Sequence, residues 1–489
     1  MCPDERHNRA AFVANRLLPF DANHRLRWGP SLALYALAYL FHFLSWNARY
    51  WDDWIINAEK LAEQEKQCPI DRCKVPFSYL WEQPLLSIGP WALRTAVVAG
   101  FVLGAYFFWM TLGKIRFISE RARSTATLLM LLLPINGARV ALVNARATHM
   151  LLLFLFGAFL LTSRRAALNI FGLILIAVSA FQPSLQVFGL AVVLILLGKD
   201  YEDFQRISRK TIFLSAVLIA IPFLHRFLFS DVMVALSLAK SPNGYNTIRL
   251  ATLIRAALVC GLLCVPFLAS IALHIRSRQP ITKFRTSLVQ IGLLVLALGT
   301  FPYMAVGHFA NLSDWIIVFL PDNSDWDSRH QLLQGPGYAL LLTGLIAKVK
   351  EASQGAFLTA IIIGCLILNS STYANYYVDG LKQRDIISGL QSQIADLETT
   401  SLFVFVDDAR DVNARGRGIR DYEWDALTEE ALGRQVEIIG VSDTLGSAGC
   451  VGEQIGKTIT IRKVSGRLKA LLTRTQIVNI DITDLIACK

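Results

Sequence analysis

The sequence predicts an all-α polytopic membrane bundle of about eleven transmembrane helices, with a small C-terminal α/β domain on its outer face. Three observations predict it. Hydrophobic residues make up 54% of the chain against 17% charged, and the mean hydropathy is +0.44, a balance foreign to chains that fold in water. Apolar runs close to the roughly 20 residues that a bilayer core demands recur from Pro30 to Asn369. Beyond Asn375 the pattern changes to short strand-like and amphipathic helical segments separated by polar turns.

The apolar runs lie near 30–47, 88–112, 125–138, 148–163, 166–181, 185–198, 211–229, 251–274, 287–305, 332–347 and 353–373. Residues 1–28 form a basic arm before them, 29–374 the membrane module and 375–489 the soluble domain. Alternating the runs collects Arg6, Arg9, Arg16, Arg25 and Arg27, then Lys114 to Arg123, Arg164 and Arg165, Lys199 to Lys210, Arg276 to Arg285, and Lys348 and Lys350 on one side. Basic loops stay in the cytoplasm, so the N-terminus is expected inside and the C-terminal domain outside, as in a bacterial inner membrane protein whose outer face is periplasmic. The net charge of +11 is then mostly topology. A basic inner rim suits anionic lipid, and no nucleic-acid partner is required.

Cysteine placement agrees with this orientation. Cys68 and Cys73 fall in the first external loop, Cys450 and Cys488 in the external tail, and Cys260, Cys264 and Cys365 within spans. Two disulfides, Cys68 with Cys73 and Cys450 with Cys488, are expected where the compartment is oxidising; four free thiols are the alternative. The Pro-Ile-Asp-Arg between Cys68 and Cys73 supplies no convincing metal-ligand set. The first apolar run starts some way into the chain with no small-x-small site after it, so it is expected to remain as the first span.

Two regions interrupt the apolar pattern and locate the expected chemistry. The first follows span one, where Asn47-Ala-Arg-Tyr-Trp-Asp-Asp-Trp-Ile-Ile-Asn57 sets the adjacent acids Asp52 and Asp53 among Arg49, Tyr50, Trp51 and Trp54. An interfacial aromatic belt explains the tryptophans alone. Two neighbouring carboxylates repel, however, and both become useful only beside a cation, a proton or a hydroxyl donor. Indole faces beside carboxylates are also what a pyranose needs for stacking and hydrogen bonding. The second region is the external loop from Gly307 to Gln334, with His308, Asp314 and Trp315, and then Asp327-Ser-Arg-His330 just before the next span. Arg329 suits a phosphate through its planar fork of donors, while an interfacial anchor is the plainer alternative.

Other polar groups share that outer face. Span three ends in Pro134-Ile-Asn-Gly-Ala-Arg139, and the stretch up to Thr148 is too apolar for an ordinary loop. Broken backbone at membrane depth requires protein or water around it. Arg94, Gln182-Pro183-Ser184 and Arg255 lie at similar depth, where an ionisable residue is a functional candidate unless it merely snorkels to the surface.

A basic cytoplasmic arm, one helix, and then Tyr50-Trp51-Asp52-Asp53 at the start of a large external loop resemble the C-class integral-membrane glycosyltransferases. The nearest pattern is the Tyr-x-Asp-Asp of Gtr-type O-antigen glucosyltransferases. The resemblance spans residues 30–373 and implies transfer of a sugar from a polyprenyl-phosphate donor to a glycan or lipid acceptor at the outer leaflet. Asp52 or Asp53 would serve as general base, and Arg329, with His330 and Arg139, would balance the departing phosphate. Arg49, Tyr50, Trp51, Trp54, Gln182 and Asp327 complete the expected substrate-binding set. No cofactor is required; a divalent metal between the paired acids stays open. The tail carries no oligosaccharyltransferase-like Trp-Trp-Asp motif, and the chain no P-loop or dinucleotide fingerprint. A surface-polysaccharide polymerase, ligase or phosphotransferase is one alternative; a transporter or flippase is another, but it would show internal repeats and midplane charges.

The tail reads as an amphipathic helix over 379–398, strands at 401–406, 436–441, 458–464 and 476–482, and a helix over 422–432. Such a domain can bury its own core and serve for packing or acceptor docking. Asp407 and Asp408 directly after its first strand occupy the position of ligand sites at strand C-termini.

Overall fold

A computed structural model of the chain describes residues 19–54, 82–180, 182–204, 207–226, 250–277, 287–305, 326–397, 402–434, 437–441 and 456–484. Cys68, Cys73, Cys450, Cys488, His308 and Asp314 lie outside them, as do the side chains of Trp51, Asp52 and Asp327. Among the described residues the cysteines Cys260, Cys264 and Cys365 are free thiols.

The apolar runs all fold as helix. In chain order these are α1 (Trp28–Ala38) and α2 (Leu40–Leu44), the short α3 (Gln83–Ile88), α4 (Pro90–Leu112), α5 (Glu120–Leu132), α6 (Ala145–Leu161), α7 (Ala166–Ser179), α8 (Pro183–Phe204), α9 (Arg209–Arg226), α10 (Leu250–Arg276), α11 (Leu288–Ala305), α12 (Gln334–Lys348) and α13 (Glu351–Ser392). Five helical segments, Pro90–Leu112, Leu142–Leu161, Leu250–His274, Leu288–Ala305 and Glu351–Ser392, are long and apolar enough to cross a membrane. The others are shorter or carry more charge, so helix length and composition support a helical bundle with five candidate crossings among the described residues. The expected span at 125–138 is a case in point: α5 has 13 residues, about 20 Å of rise against a bilayer core of about 30 Å.

Local chemistry sets the ends of α5. Ser119 caps its start, accepting from the Ala122 amide at 3.2 Å, with Glu120 in the first turn. Leu133 precedes Pro134 and takes an extended conformation, as a residue before proline must. Asn136 then adopts φ +57°, and the chain crosses to α6 in two 3-10 turns, Gly137–Val140 and Leu142–Asn144. This is the broken backbone expected at membrane depth, and it is buried.

Helices inside a bilayer gain little from burying apolar surface against one another, so close backbone approach matters more. Gly157 of α6 and Gly172 of α7 face each other, a Cβ on either falling 2.8 or 2.9 Å from the other's carbonyl oxygen. Along α11 and α12, Gly292 abuts the Leu341 backbone and Gly337 the Leu296 backbone, which leaves no space for a methyl group at either.

Residues 375–398 differ from expectation. The last span and the amphipathic helix over 379–398 are one 42-residue helix, α13, so the boundary near 375 falls inside a rigid rod. A one-turn helix, α14 (Ile394–Leu397), leads to the C-terminal sheet of β1 (Leu402–Asp407), β2 (Glu437–Val441), β3 (Gly456–Lys463) and β4 (Val478–Asp484). Its order is β2-β1-β3-β4, with β1 parallel to β2 and β3, and β3 antiparallel to β4. Helices α15 (Asp421–Leu432) and α16 (Arg467–Thr473) complete the domain. Phe403, Phe405 and Trp424 share one core with Ile386 and Leu390 of α13, and with Trp54 of the loop after α2. The Phe405 and Trp424 rings stack 4.3 Å apart.

A buried polar joint fixes the domain to the rod. Lys382 Nζ lies 2.7 Å from both Asp407 carboxylate oxygens and from Asn413 Oδ1. Arg417 grips Glu423 at 2.9 and 2.7 Å and lies 3.7 Å from Asp379. Asp407, the last residue of β1, is therefore occupied by a lysine of α13 and forms a structural joint rather than an open ligand site.

Glycine packing gives a direct test. Gly292→Ala places its methyl group against the Leu341 backbone and is expected to cost about 1–3 kcal/mol in thermal unfolding of the purified protein. Gly261→Ala, where nothing lies within 4 Å of the added carbon, is expected to be neutral or slightly stabilising. Equal melting temperatures for the two variants would contradict the packing of α11 on α12.

Candidate functional site

The loop after α2 is built around one guanidinium. Arg94, one turn into α4 and fully buried, donates from Nη1 to the carbonyls of Ser45 and Trp46 and from Nη2 to those of Ala48 and Val140; the last three bonds measure 2.7, 2.9 and 3.0 Å. Ser45 is the C-cap residue of α2, so Arg94 caps that helix and ties it to the 3-10 turn ending at Val140. A guanidinium committed to four carbonyls is a positioning group and has no donors left on its terminal nitrogens for a substrate phosphate.

Asp53 makes the reciprocal connection. It stands third in the 3-10 turn Trp51–Trp54 and accepts the Tyr50 amide on Oδ2 at 3.0 Å, the back-reaching half of a capping box. Its Oδ1 accepts the Val143 amide at 3.0 Å, and the Leu142 amide also bonds to the carboxylate. Burial outweighs these donors and pushes the Asp53 carboxyl up to about 6. Tyr50 is buried as well, donating from its hydroxyl to the Tyr376 carbonyl at 2.8 Å, while Gly380 of α13 allows the loop to lie directly on the rod. Asp53, expected as a candidate general base, thus has its carboxylate engaged by three amides and clips two turns together.

Arg49 and Trp54 face the other way. Arg49 pairs with Glu430 of α15 at 3.0 Å and lies 5.3 Å from the Trp54 ring centre. They border a cavity of about 370 Å³, walled by Trp46 and Trp54 from the loop, Gln383 and Arg384 from α13, and Glu430 from the C-terminal domain. Indole, guanidinium, amide and carboxylate groups around a space of this size can hold one or two sugar rings with their hydroxyls paired.

The other expected residues form a second cluster behind the broken backbone. Gln182 donates to Ser184 at 3.4 Å, Ser184 hydrogen-bonds to Tyr303 of α11, and the Tyr303 ring is 5.0 Å from that of His330. Arg329 and His330 lie in the 3-10 turn Trp326–Gln331, which packs on the turn Gly137–Val140. One continuous strip thus runs from Asp53 through Val143 and Val140 to the Arg329-His330 turn. Arg139 belongs to this strip but is not open to a ligand: its guanidinium sits 4.4 Å from both the Tyr39 and Phe101 ring centres, and Nε donates to the Tyr373 hydroxyl at 3.4 Å. It acts as a clasp between the end of α1, α4 and α13. Arg255 is exposed on α10.

Sequence reasoning missed Gln383, Arg384 and Glu430, which supply the far wall of the cavity. Nothing in the sequence links residue 430 to residue 49; the contact exists because α15 packs against the rod and the first outer turn. Among the described residues no group of three or more histidine, cysteine or acidic side chains is arranged to hold a metal ion.

The pH response of Asp53 is testable. Its folded-state carboxyl holds a proton up to about pH 6, whereas the unfolded chain releases it near pH 4, so folding stability falls as pH rises through that window. The contribution is on the order of 2 kcal/mol. Thermal unfolding of Asp53→Asn between these limits is expected to show a flatter pH profile than the wild type, and an identical slope would remove Asp53 from this role.

No family model, curated protein or solved structure matches this chain, so the function has to be read from the site's own geometry.

Proposed function

We propose that this protein is a membrane glycosyltransferase that moves a sugar from a polyprenyl-phosphate carrier to a cell-surface glycan or lipid acceptor on the outer face of the membrane. The observation that carries the proposal is the Tyr-Trp-Asp-Asp turn, fixed by Arg94 and Asp53 beside a 370 Å³ cavity walled by tryptophan, arginine and glutamate side chains. On this reading all eleven apolar helices count as spans, with the N-terminus in the cytoplasm and the sheet domain outside. The paired cysteines Cys68 with Cys73 and Cys450 with Cys488 then share the oxidising compartment.

The chemistry divides between the two acids. Asp53 is the positioning residue, and Asp52, its neighbour in the same 3-10 turn, is the general base. Asp52 takes the proton of the acceptor hydroxyl, whose oxygen forms the new bond to the anomeric carbon as the carbon–oxygen bond to the carrier phosphate breaks. The electron pair leaves on the phosphate, where Arg329, with His330 beside it, offsets the growing negative charge. The lipid phosphate is itself an activated leaving group, so no nucleotide site is needed. Trp46 and Trp54 stack the acceptor sugar, and Arg49, Arg384 and Glu430 bond its hydroxyls.

Membranes containing the protein should consume one of a panel of polyprenyl-phosphate sugars, followed by mass spectrometry. Asp52→Asn is expected to lower transfer at least about 100-fold without altering thermal unfolding, whereas Asp53→Asn changes both. Full activity in Asp52→Asn would overturn this assignment and favour a polymerase or ligase acting through the Arg329-His330 turn.

A further inference from the structure

Helix α16 of the C-terminal domain has a surface that the proposed chemistry does not use. Its residues Leu468 and Leu472, one turn apart, are 70% and 73% exposed, and Val464 just before the helix is 56% exposed. Ala470 on the opposite side is buried in the domain, so the outward leucines are a surface and not a frayed core. Lys469 and Arg474 flank them. No acidic residue occurs between Lys463 and Asp481, and no carboxylate pairs with Lys469 or Arg474 among the described residues. Two large aliphatic side chains framed by unpaired cations fit the boundary of an anionic bilayer, where leucine enters the acyl edge and lysine and arginine meet phosphate.

The rod fixes the depth of this surface. From Ser353 to Asn375, α13 rises about 33 Å, slightly more than a bilayer core. Its exposed apolar side chains end with Ile367 and Leu368, at 63% and 53%. Arg467, the first residue of α16, donates to Asn375 Oδ1 at 3.1 Å and to the Asn413 carbonyl. The start of α16 is therefore pinned at the level where the rod leaves the hydrocarbon. Strand β4 then climbs away along the rod: the Ile477 amide bonds to Asp385 at 2.6 Å, and Gln393 reaches the Ile480 carbonyl at 3.5 Å. The leucine face thus lies at the membrane-proximal end of the domain and Asp484 at the distal end.

We infer that α16 is an interfacial helix that docks the C-terminal domain on the adjacent leaflet by inserting Val464, Leu468 and Leu472 among anionic lipid headgroups. The inference needs α13 to cross the membrane and is independent of any glycosyltransferase activity. Docking at this point braces the domain on a second support besides the rod, and so holds Glu430 opposite Arg49 across the cavity.

The test uses the full-length protein, one copy per nanodisc, in equimolar phosphatidylcholine and phosphatidylglycerol. A photo-crosslinking p-benzoyl-phenylalanine at Leu472 is expected to give lipid adducts by mass spectrometry, enriched in phosphatidylglycerol, and the same group at Asp484 is expected to give none. Lys469→Glu with Arg474→Glu should erase the phosphatidylglycerol enrichment, at roughly five-fold per lost charge. Absence of lipid adducts at Leu472, adducts to a second protein chain instead, or enrichment unchanged in the charge-reversed variant would each overturn the inference. Sugar turnover is not read at any step, so failure here is distinct from failure of the proposed activity.

Discussion

The loop after α2 depends on Arg94 holding four backbone carbonyls drawn from two separate segments of the chain. The C-terminal carbonyls of a helix and those of a tight turn need donors, and inside a membrane protein water cannot be relied on to supply them. By drawing Ser45, Trp46, Ala48 and Val140 to one guanidinium, the chain bends the segment after α2 back over α4 and joins it to the turns between α5 and α6. Asp53 answers from the opposite direction, accepting amides from those same turns. Both groups bond to backbone and their charges also favour each other, so the loop carrying Tyr50 to Trp54 is held at both ends.

The second constraint is α13. Because span and stalk are one helix, anything fixed to its upper half is fixed relative to the bundle. The Lys382–Asp407 joint, the Arg417 bridge between Asp379 and Glu423, and Trp54 in the domain core all attach there. Breaking one side of such buried pairs leaves an uncompensated charge, which makes the joint costly to open. A cavity whose walls come from residues 46–54, 383–384 and 430 can keep its shape only if these three pieces move together, and the rod supplies that rigidity.

Much of the fold was legible because it depends on local pattern. Apolar length marked the helices, Pro134 marked the break after α5, and alternating apolar residues marked the four strands to within about two residues of their ends. The division of α13 into two helices failed because composition changes near Asn369-Ser-Ser371 while the backbone does not: the stretch holds no proline, and helix continues through it. The site was half legible. Tyr50 to Trp54 stood out as a cluster, and the Arg329-His330 turn does join the same strip. The sequence could not distinguish Asp52 from Asp53, since the difference lies in amides of residues 142 and 143, and it gave Arg139 a ligand role that two aromatic faces pre-empt.

That distinction between neighbouring acids has a physical consequence for the proposed chemistry. Two adjacent carboxylates that both faced solvent would share a proton, and the assignment of base and acid would shift with small changes in environment. Here burial decides the matter for one of them. Asp53 takes its charge reluctantly, near pH 6, yet three amides keep its oxygens in place in either state. Its ionisation near pH 6 weakens the clip, so the acid that holds the loop is poorly suited to abstracting a proton. A site that must hold a rigid loop and still abstract a weakly acidic proton gains from giving those tasks to separate carboxylates in one turn.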